Sequence, residues 1–196
     1  MGAGDSASAV AQRAEAKAIA LRKKAEAAEQ RAARFRAGAA GERVLDEAAQ
    51  GLVDCGWFPL ADRCSPTGGN MDELFVGPAG VAVLDAKNWS WPVTVRNGQM
   101  RTGKYRHTTC LRRVRDQVGA VEEVLDRAGL DEVPVQGFIV LIGGPSRSFP
   151  PEDVDGVWVL GINFVGSGFS LQRGTLPMED VVQAQTVIEA AFPPAE

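Results

Sequence analysis

The sequence predicts an α/β fold: a mixed central β-sheet flanked by helices and preceded by an extended N-terminal α-helix. Three observations carry this prediction. Residues 7–37 contain neither Gly nor Pro and are mostly Ala, Arg, Lys, Glu and Gln, which favour the helix. Short apolar runs bounded by turn signals follow over residues 57–103, the pattern of strands. Beyond them, helically spaced apolar residues alternate with continuous apolar runs, as expected for helices laid on a buried sheet.

Each element has its own justification. A helix over residues 7–37 would be roughly 45 Å long. Its large apolar residues are few (Val10, Ile19, Leu21, Phe35) and keep no heptad, so no leucine-zipper seam is expected. It reads as a solvated arm for self-association or a protein partner, or as a basic arm that touches a polyanion. "GAAGER" at 38–43 is expected to break this helix and start a new element, in which Val44, Leu45, Ala48, Leu52 and Val53 fall at helical spacing. The sequence thus divides into a helical extension, 1–37, and one domain, 38–196. Strands are expected at 57–64, 71–76 and 81–88, with "SPTGGN" a loop between the first two. "WPVTVRNGQMRTG" reads as a hairpin turning at Asn97-Gly98. Leu111, Val114, Val118, Val121 and Leu125 mark a helix over 109–128. "VPVQGFIVLIGG" and "GVWVLG" read as buried strands, and Pro177 opens a last helix that reaches Phe192.

Net charge is −4, so the whole chain is not a polycation. The charge is uneven: residues 1–40 hold eight Lys/Arg against four Asp/Glu, and the rest 13 against 21. Cys55, Cys64 and Cys110 have no C-x-x-C spacing and read as reduced thiols without a zinc site. There is no 18-residue apolar run and no apolar signal core at the N-terminus. No membrane association and a cytoplasmic location are therefore expected.

The stretch "MDELFVGPAGVAVLDAKNW" at 71–89 carries the chemistry. A hairpin closed about Pro78-Ala79 pairs Gly77 with Gly80, Val76 with Val81 and Asp72 with Asp85. Opposed residues share a face, so Leu74, Val76, Val81, Val83 and Lys87 join the two aspartates there. Phe75, Ala82, Leu84 and Ala86 take the other face. Two like charges facing each other at the end of a buried strand cost stability and need compensation. Lys87 is one source and a divalent cation held by the carboxylates is another; the spacing alone leaves both open.

"GE" at 41–42, "MDELFVGPAGVAVLDAKN" and a following helix with Gln117 together resemble the nuclease-related domain family, NERD, of the PD-(D/E)XK nuclease-like superfamily. The resemblance covers roughly residues 38–145. It implies a restriction-endonuclease-like fold and metal-dependent cleavage of nucleic acid, DNA ahead of RNA. The family pattern falls on Glu42, Asp72, Asp85, Lys87 and Gln117, with Asp85-Ala86-Lys87 where the family usually has Glu-x-Lys. Mg²⁺ or Mn²⁺ would then be held by Asp72, Asp85 and the Ala86 carbonyl, and would acidify a bound water. Lys87 would orient that water or stabilise developing charge. Glu42 would hold a second ion or an outer water, and Gln117 would position water or the nucleic-acid backbone. A solvent-facing Gln117 is the plain alternative. A catalytically silent nucleic-acid-binding module, or a scaffold with a helical interaction arm, is the rival to the enzyme.

Residues 101–115, "RTGKYRHTTCLRRVR", contain no acidic residue. Three arginines stand early in a helix, where acidic residues are favoured. Lys104, Arg106, Arg112, Arg113 and Arg115 therefore read as a phosphate-binding patch, against the alternative of a solvated hairpin tip. His107, the single histidine, reads as a surface residue rather than a catalyst, and Trp89 and Trp91 as packing residues, with a base-stacking platform as the alternative.

Overall fold

Among the described residues, nine strands and three α-helices follow one another along the chain. The computed structural model describes residues 3–66, 70–165 and 176–195, with the side chains of residues 3–14, 16, 31, 33–40, 42 and 46 excepted. Helix α1 (Ala3–Val53) is followed by β1 (Phe58–Cys64), β2 (Asn70–Gly77) and β3 (Gly80–Lys87). A small meander follows: β4 (Val93–Arg96), β5 (Gln99–Thr102) and β6 (Tyr105–Arg106). Then come α2 (Thr108–Arg127), β7 (Val135–Leu141), β8 (Glu152–Val154), β9 (Val157–Gly161) and α3 (Met178–Ala191).

The large sheet has six strands in the order β1-β2-β3-β7-β9-β8. The pairs β1–β2, β2–β3 and β8–β9 are antiparallel, while β3–β7 and β7–β9 are parallel. It is the expected mixed sheet. The β2–β3 register is also the expected one, running from Gly77↔Gly80 through Val76↔Val81 to Glu73↔Leu84. A two-residue turn fixes pairing in this way because it leaves no slack. Gly80 takes φ +117° and lies against the Pro134 carbonyl, where a Cβ would come within 2.2 Å, so glycine suits this turn on two counts.

The sheet is covered on both sides. Leu74, Val76, Val81 and Val83 pack against Val121 and Leu125 of α2 and Val181, Ala184 and Ile188 of α3. Phe75, Ala82, Leu84, Phe138 and Val140 pack against Leu45, Ala49 and Leu52 of α1 and against Trp57. Each Leu or Phe buried here contributes about 2 kcal/mol of transfer free energy. The meander buries Val93 and Met100 against Leu111, Val114 and Ile139.

Three features depart from expectation. First, α1 is one helix through Gly38 and Gly41. A helical Gly costs about 1 kcal/mol against Ala, and packing of residues 45–52 outweighs that penalty. Gly41 itself lies so near Ile142 that a Cβ would come 2.2 Å from its terminal carbon, so the residue read as a breaker permits a close approach. Second, β6 and β8 are strands of two and three residues, too short to show a period. Third, part of the expected 65–70 loop lies outside the described residues. By compactness the chain divides into residues 1–39 and 40–196. In the first unit every described side chain is exposed. No helix among the described residues is long and apolar enough to cross a membrane.

Candidate active site

The two aspartates meet where the β2–β3 ladder ends. Asp85 is the first break in the apolar side of β3, and it is only 2 % exposed. Its strand neighbour on the other flank is Ile139 of β7, so it sits inside the sheet rather than at an edge. Asp72 does not continue the ladder by backbone bonds. Its Oδ2 instead accepts a hydrogen bond from the Ala86 amide at 3.0 Å, satisfying a donor that the ladder leaves open.

Cations from two elements neutralise the pair. Lys87, two residues beyond Asp85 on the same face, forms an ion pair with Asp85 Oδ2. The contact lacks hydrogen-bond alignment, and Oδ2 has no aligned donor. Lys87 Nζ donates instead to the Ala86 carbonyl at 3.2 Å. From α2, one guanidinium nitrogen of Arg113 lies 3.4 Å from Asp85 Oδ1 and 3.8 Å from Asp72 Oδ1. The two carboxylates therefore share a cation, and in this structure it belongs to a side chain. Burial, and next the neighbouring Asp85 charge, push the Asp72 carboxyl above its ordinary range, against the opposing pull of Lys87, the Ala86 amide and Arg113.

Helix α2 is fastened beside the pair. The Asn70 carbonyl, at the start of β2, accepts hydrogen bonds from Arg113 at 3.1 Å and from Gln117 Nε2 at 3.2 Å. The two donors are one helical turn apart and project together. Gln117 is 1 % exposed, so the solvent-facing alternative is overturned. The amide fixes the strand that carries Asp72.

A cleft of about 370 Å³ opens on Asp85 and Lys87 and is lined also by Arg106, His107, Thr109, Cys110 and Arg113. His107 is not the plain surface residue expected. Its ring stacks on Trp89 with centroids 3.9 Å apart, and its Nε2 lies 2.7 Å from Thr102 Oγ1. Burial lowers its pKa. Burial raises that of the Cys110 thiol, which donates to the His107 carbonyl, so Cys110 is a packed thiol and not a nucleophile. Trp89 packs on the core, whereas Trp91 is 73 % exposed, which removes the packing role for Trp91 and leaves its alternative.

The five residues expected to form the phosphate-binding patch separate into three groups. Arg113 belongs to the aspartates, and Arg115 is bound by an ion pair to Asp155. Arg106 and Arg112 are exposed, as is Lys104, whose ammonium lies 5.6 Å from the Tyr105 ring centre. Glu42 has a helical backbone in α1, but its side chain lies outside the described residues. No group of three or more His, Cys, Asp or Glu is placed to hold a metal among the described residues. The Asn70 carbonyl escaped sequence reading, since no side chain signals a main-chain acceptor. The pairing of Arg113 with both aspartates escaped too, because it depends on where α2 docks.

A mixed six-stranded sheet with helices on both faces is an α/β architecture consistent with a nuclease-like fold. The family model of the nuclease-related domain matches residues 37–142. That is more than half of the chain, which belongs to the NERD family. No curated protein and no solved structure matches it.

Proposed function

We propose that this chain is a divalent-metal-dependent nuclease that hydrolyses phosphodiester bonds, with DNA ahead of RNA as substrate. The observation that carries this reading is the convergence of Asp72, Asp85 and Lys87, the last two of which line a cleft. Asp72, Asp85 and the Ala86 carbonyl are the donors assigned to Mg²⁺ or Mn²⁺. They are hard oxygen ligands, and two carboxylates suffice for Mg²⁺ when water and phosphate complete its shell. Two properties support the fit. Asp85 Oδ2 is buried without an aligned donor, and Asp72 is held above its ordinary pKa by burial and by Asp85. When bound, the ion polarises the phosphoryl group and acidifies a water.

The chain's own residues supply the rest. Lys87 stabilises charge developing on the phosphate or orients the attacking water. Gln117 holds the start of β2 through Asn70 and so positions Asp72. Arg113 neutralises the carboxylates in the free protein. Glu42 is assigned a second ion or an outer water. A second reading, a catalytically silent binding or scaffold module, draws on one observation: Lys87 and Arg113 already neutralise both aspartates.

The test incubates the protein with circular duplex, linear duplex, single-stranded DNA and RNA, with Mg²⁺ or Mn²⁺, alongside thermal melts. Metal-dependent cutting that is lost with EDTA, with Asp85→Asn and with Lys87→Ala is expected. Metal should also raise the melting temperature, because binding adds about 2.7 kcal/mol of stability at a hundredfold excess over Kd. No cutting and no metal-induced shift would leave the silent module.

A further inference from the structure

Residues 86–115 contain eight Lys/Arg and no Asp or Glu, in a chain whose net charge is −4. Lys87, Arg113 and Arg115 are bound to carboxylates. Arg96, Arg101, Lys104, Arg106 and Arg112 have no carboxylate partner among the described residues. The meander explains where most of them lie. Its pairing sets Thr94 opposite Arg101, Arg101 opposite Arg106, and Arg96 opposite Gln99. Opposed and alternate residues share a face, so Arg96, Arg101 and Arg106 stand together on one side of the small sheet. The other side, with Val93 and Met100, is buried in the core.

That outward side is concave. A groove of about 700 Å³ runs over Thr94, Arg96, Gln99, Arg101 and Arg106, with the exposed Trp91 at its border. Arginines directly opposed across strands repel each other. Arg101 turns part of its guanidinium to Gln99 Oε1 at 2.9 Å, which leaves the repulsion in place. A face that breaks the local charge rule and is fixed to the core is organised for an anion from outside. Val93 and Met100 anchor it by packing, and the Val93 amide donates to the buried Ser146 hydroxyl at 2.9 Å. Arg106 lines both this groove and the cleft that holds Asp85 and Lys87, so the two adjoin there.

We infer that the outer face of the β4–β5–β6 sheet binds a single strand of nucleic acid, with Arg96, Arg101 and Arg106 on its phosphates and Trp91 stacked on a base, and leads that strand into the aspartate cleft. The inference rests on the nuclease reading for its destination but not for its binding. A single strand is the occupant because an exposed indole needs an unpaired base to stack on, and a basic groove with aromatics is how unpaired strands are held. A duplex buries its base faces and would use the arginines alone.

The test measures anisotropy of a labelled single-stranded oligonucleotide with the full chain in EDTA, across a salt titration. Arg96→Ala with Arg101→Ala should weaken binding at least tenfold and reduce the log-log salt slope by about 1.4, at roughly 0.7 per lost phosphate contact. Trp91→Ala should weaken it by roughly fivefold or more and leave the slope unchanged, since stacking releases no counterions. All three side chains are at least partly exposed, so melting temperatures should not move, and Arg127→Ala, remote on α2, should bind as wild type. Unchanged affinity in the arginine pair, or tighter duplex binding indifferent to Trp91, overturns the inference. Binding as described without cleavage on adding metal supports this face and sinks the nuclease reading alone.

Discussion

Lys87 and Arg113 touch the same carboxylate, but they are unequal in what their loss would expose. The Asp85 side chain is 3 % exposed and that of Lys87 20 %, whereas Arg113 is 46 % exposed. Removing the lysine leaves a buried charge facing Arg113 alone. Lys87→Ala should therefore destabilise the metal-free protein by about 3 kcal/mol. Arg113→Ala, at a wetter position where water screens the pair, should lose about 1 kcal/mol or less. Urea unfolding in EDTA reads both, and equal losses would contradict this ranking. His107 yields a pH dependence. Its ordinary pKa is 6.5 and burial lowers it in the folded chain, so the unfolded chain takes up the proton first as pH falls. Its contribution to stability is complete above pH 6.5 and declines below it, toward the lower folded value. His107→Phe, which keeps a ring against Trp89, should flatten the stability profile in that window. A profile identical to wild type would show that the imidazole does not carry it.

At the level of elements, what the chain displayed in advance depended on whether a local signal had competition. The β2–β3 register was readable because Pro78-Ala79 leaves one way to close the hairpin, and the apolar alternation named both faces. The end of α1 was read less well. Gly38 and Gly41 carry a real helix penalty, yet Leu45, Ala49 and Leu52 are buried and prolong the helix by tertiary packing, which no local pattern reports. Strands β6 and β8 were invisible for want of length. The site divides the same way: Asp72, Asp85 and Lys87 follow from strand parity, while Arg113 and the Asn70 carbonyl required the docked helix. One expectation belongs here. Glu15, residues 17–30 and Ala32 are exposed, and residues 40–196 hold the buried core. A fragment starting at Ala40 should unfold cooperatively, with a melting temperature only modestly lower than the full chain. A non-cooperative melt by circular dichroism would show that the extension is structural.

Across the whole molecule the net charge is −4, yet the acid-free stretch at 86–115 supplies Lys87, Arg106, His107, Thr109, Cys110 and Arg113 to the lining of the aspartate cleft. The topology that achieves this also dictates an order of events in time. Strands β1, β2 and β3 are neighbours in sequence and pair antiparallel, so they close short loops and can form early. Arg113 and Gln117 arrive later, in the long connection that must wrap before β7 pairs parallel with β3. During that interval Asp72 and Asp85 face each other with Lys87 alone to offset them. On this order the aspartate pair is expected to slow closure of the antiparallel part of the sheet. Asp85→Asn should refold faster than wild type in stopped-flow measurements without metal, with the gain concentrated in the folding limb of the chevron. A folding limb unchanged by the substitution would mean that α2 docks before the hairpin closes.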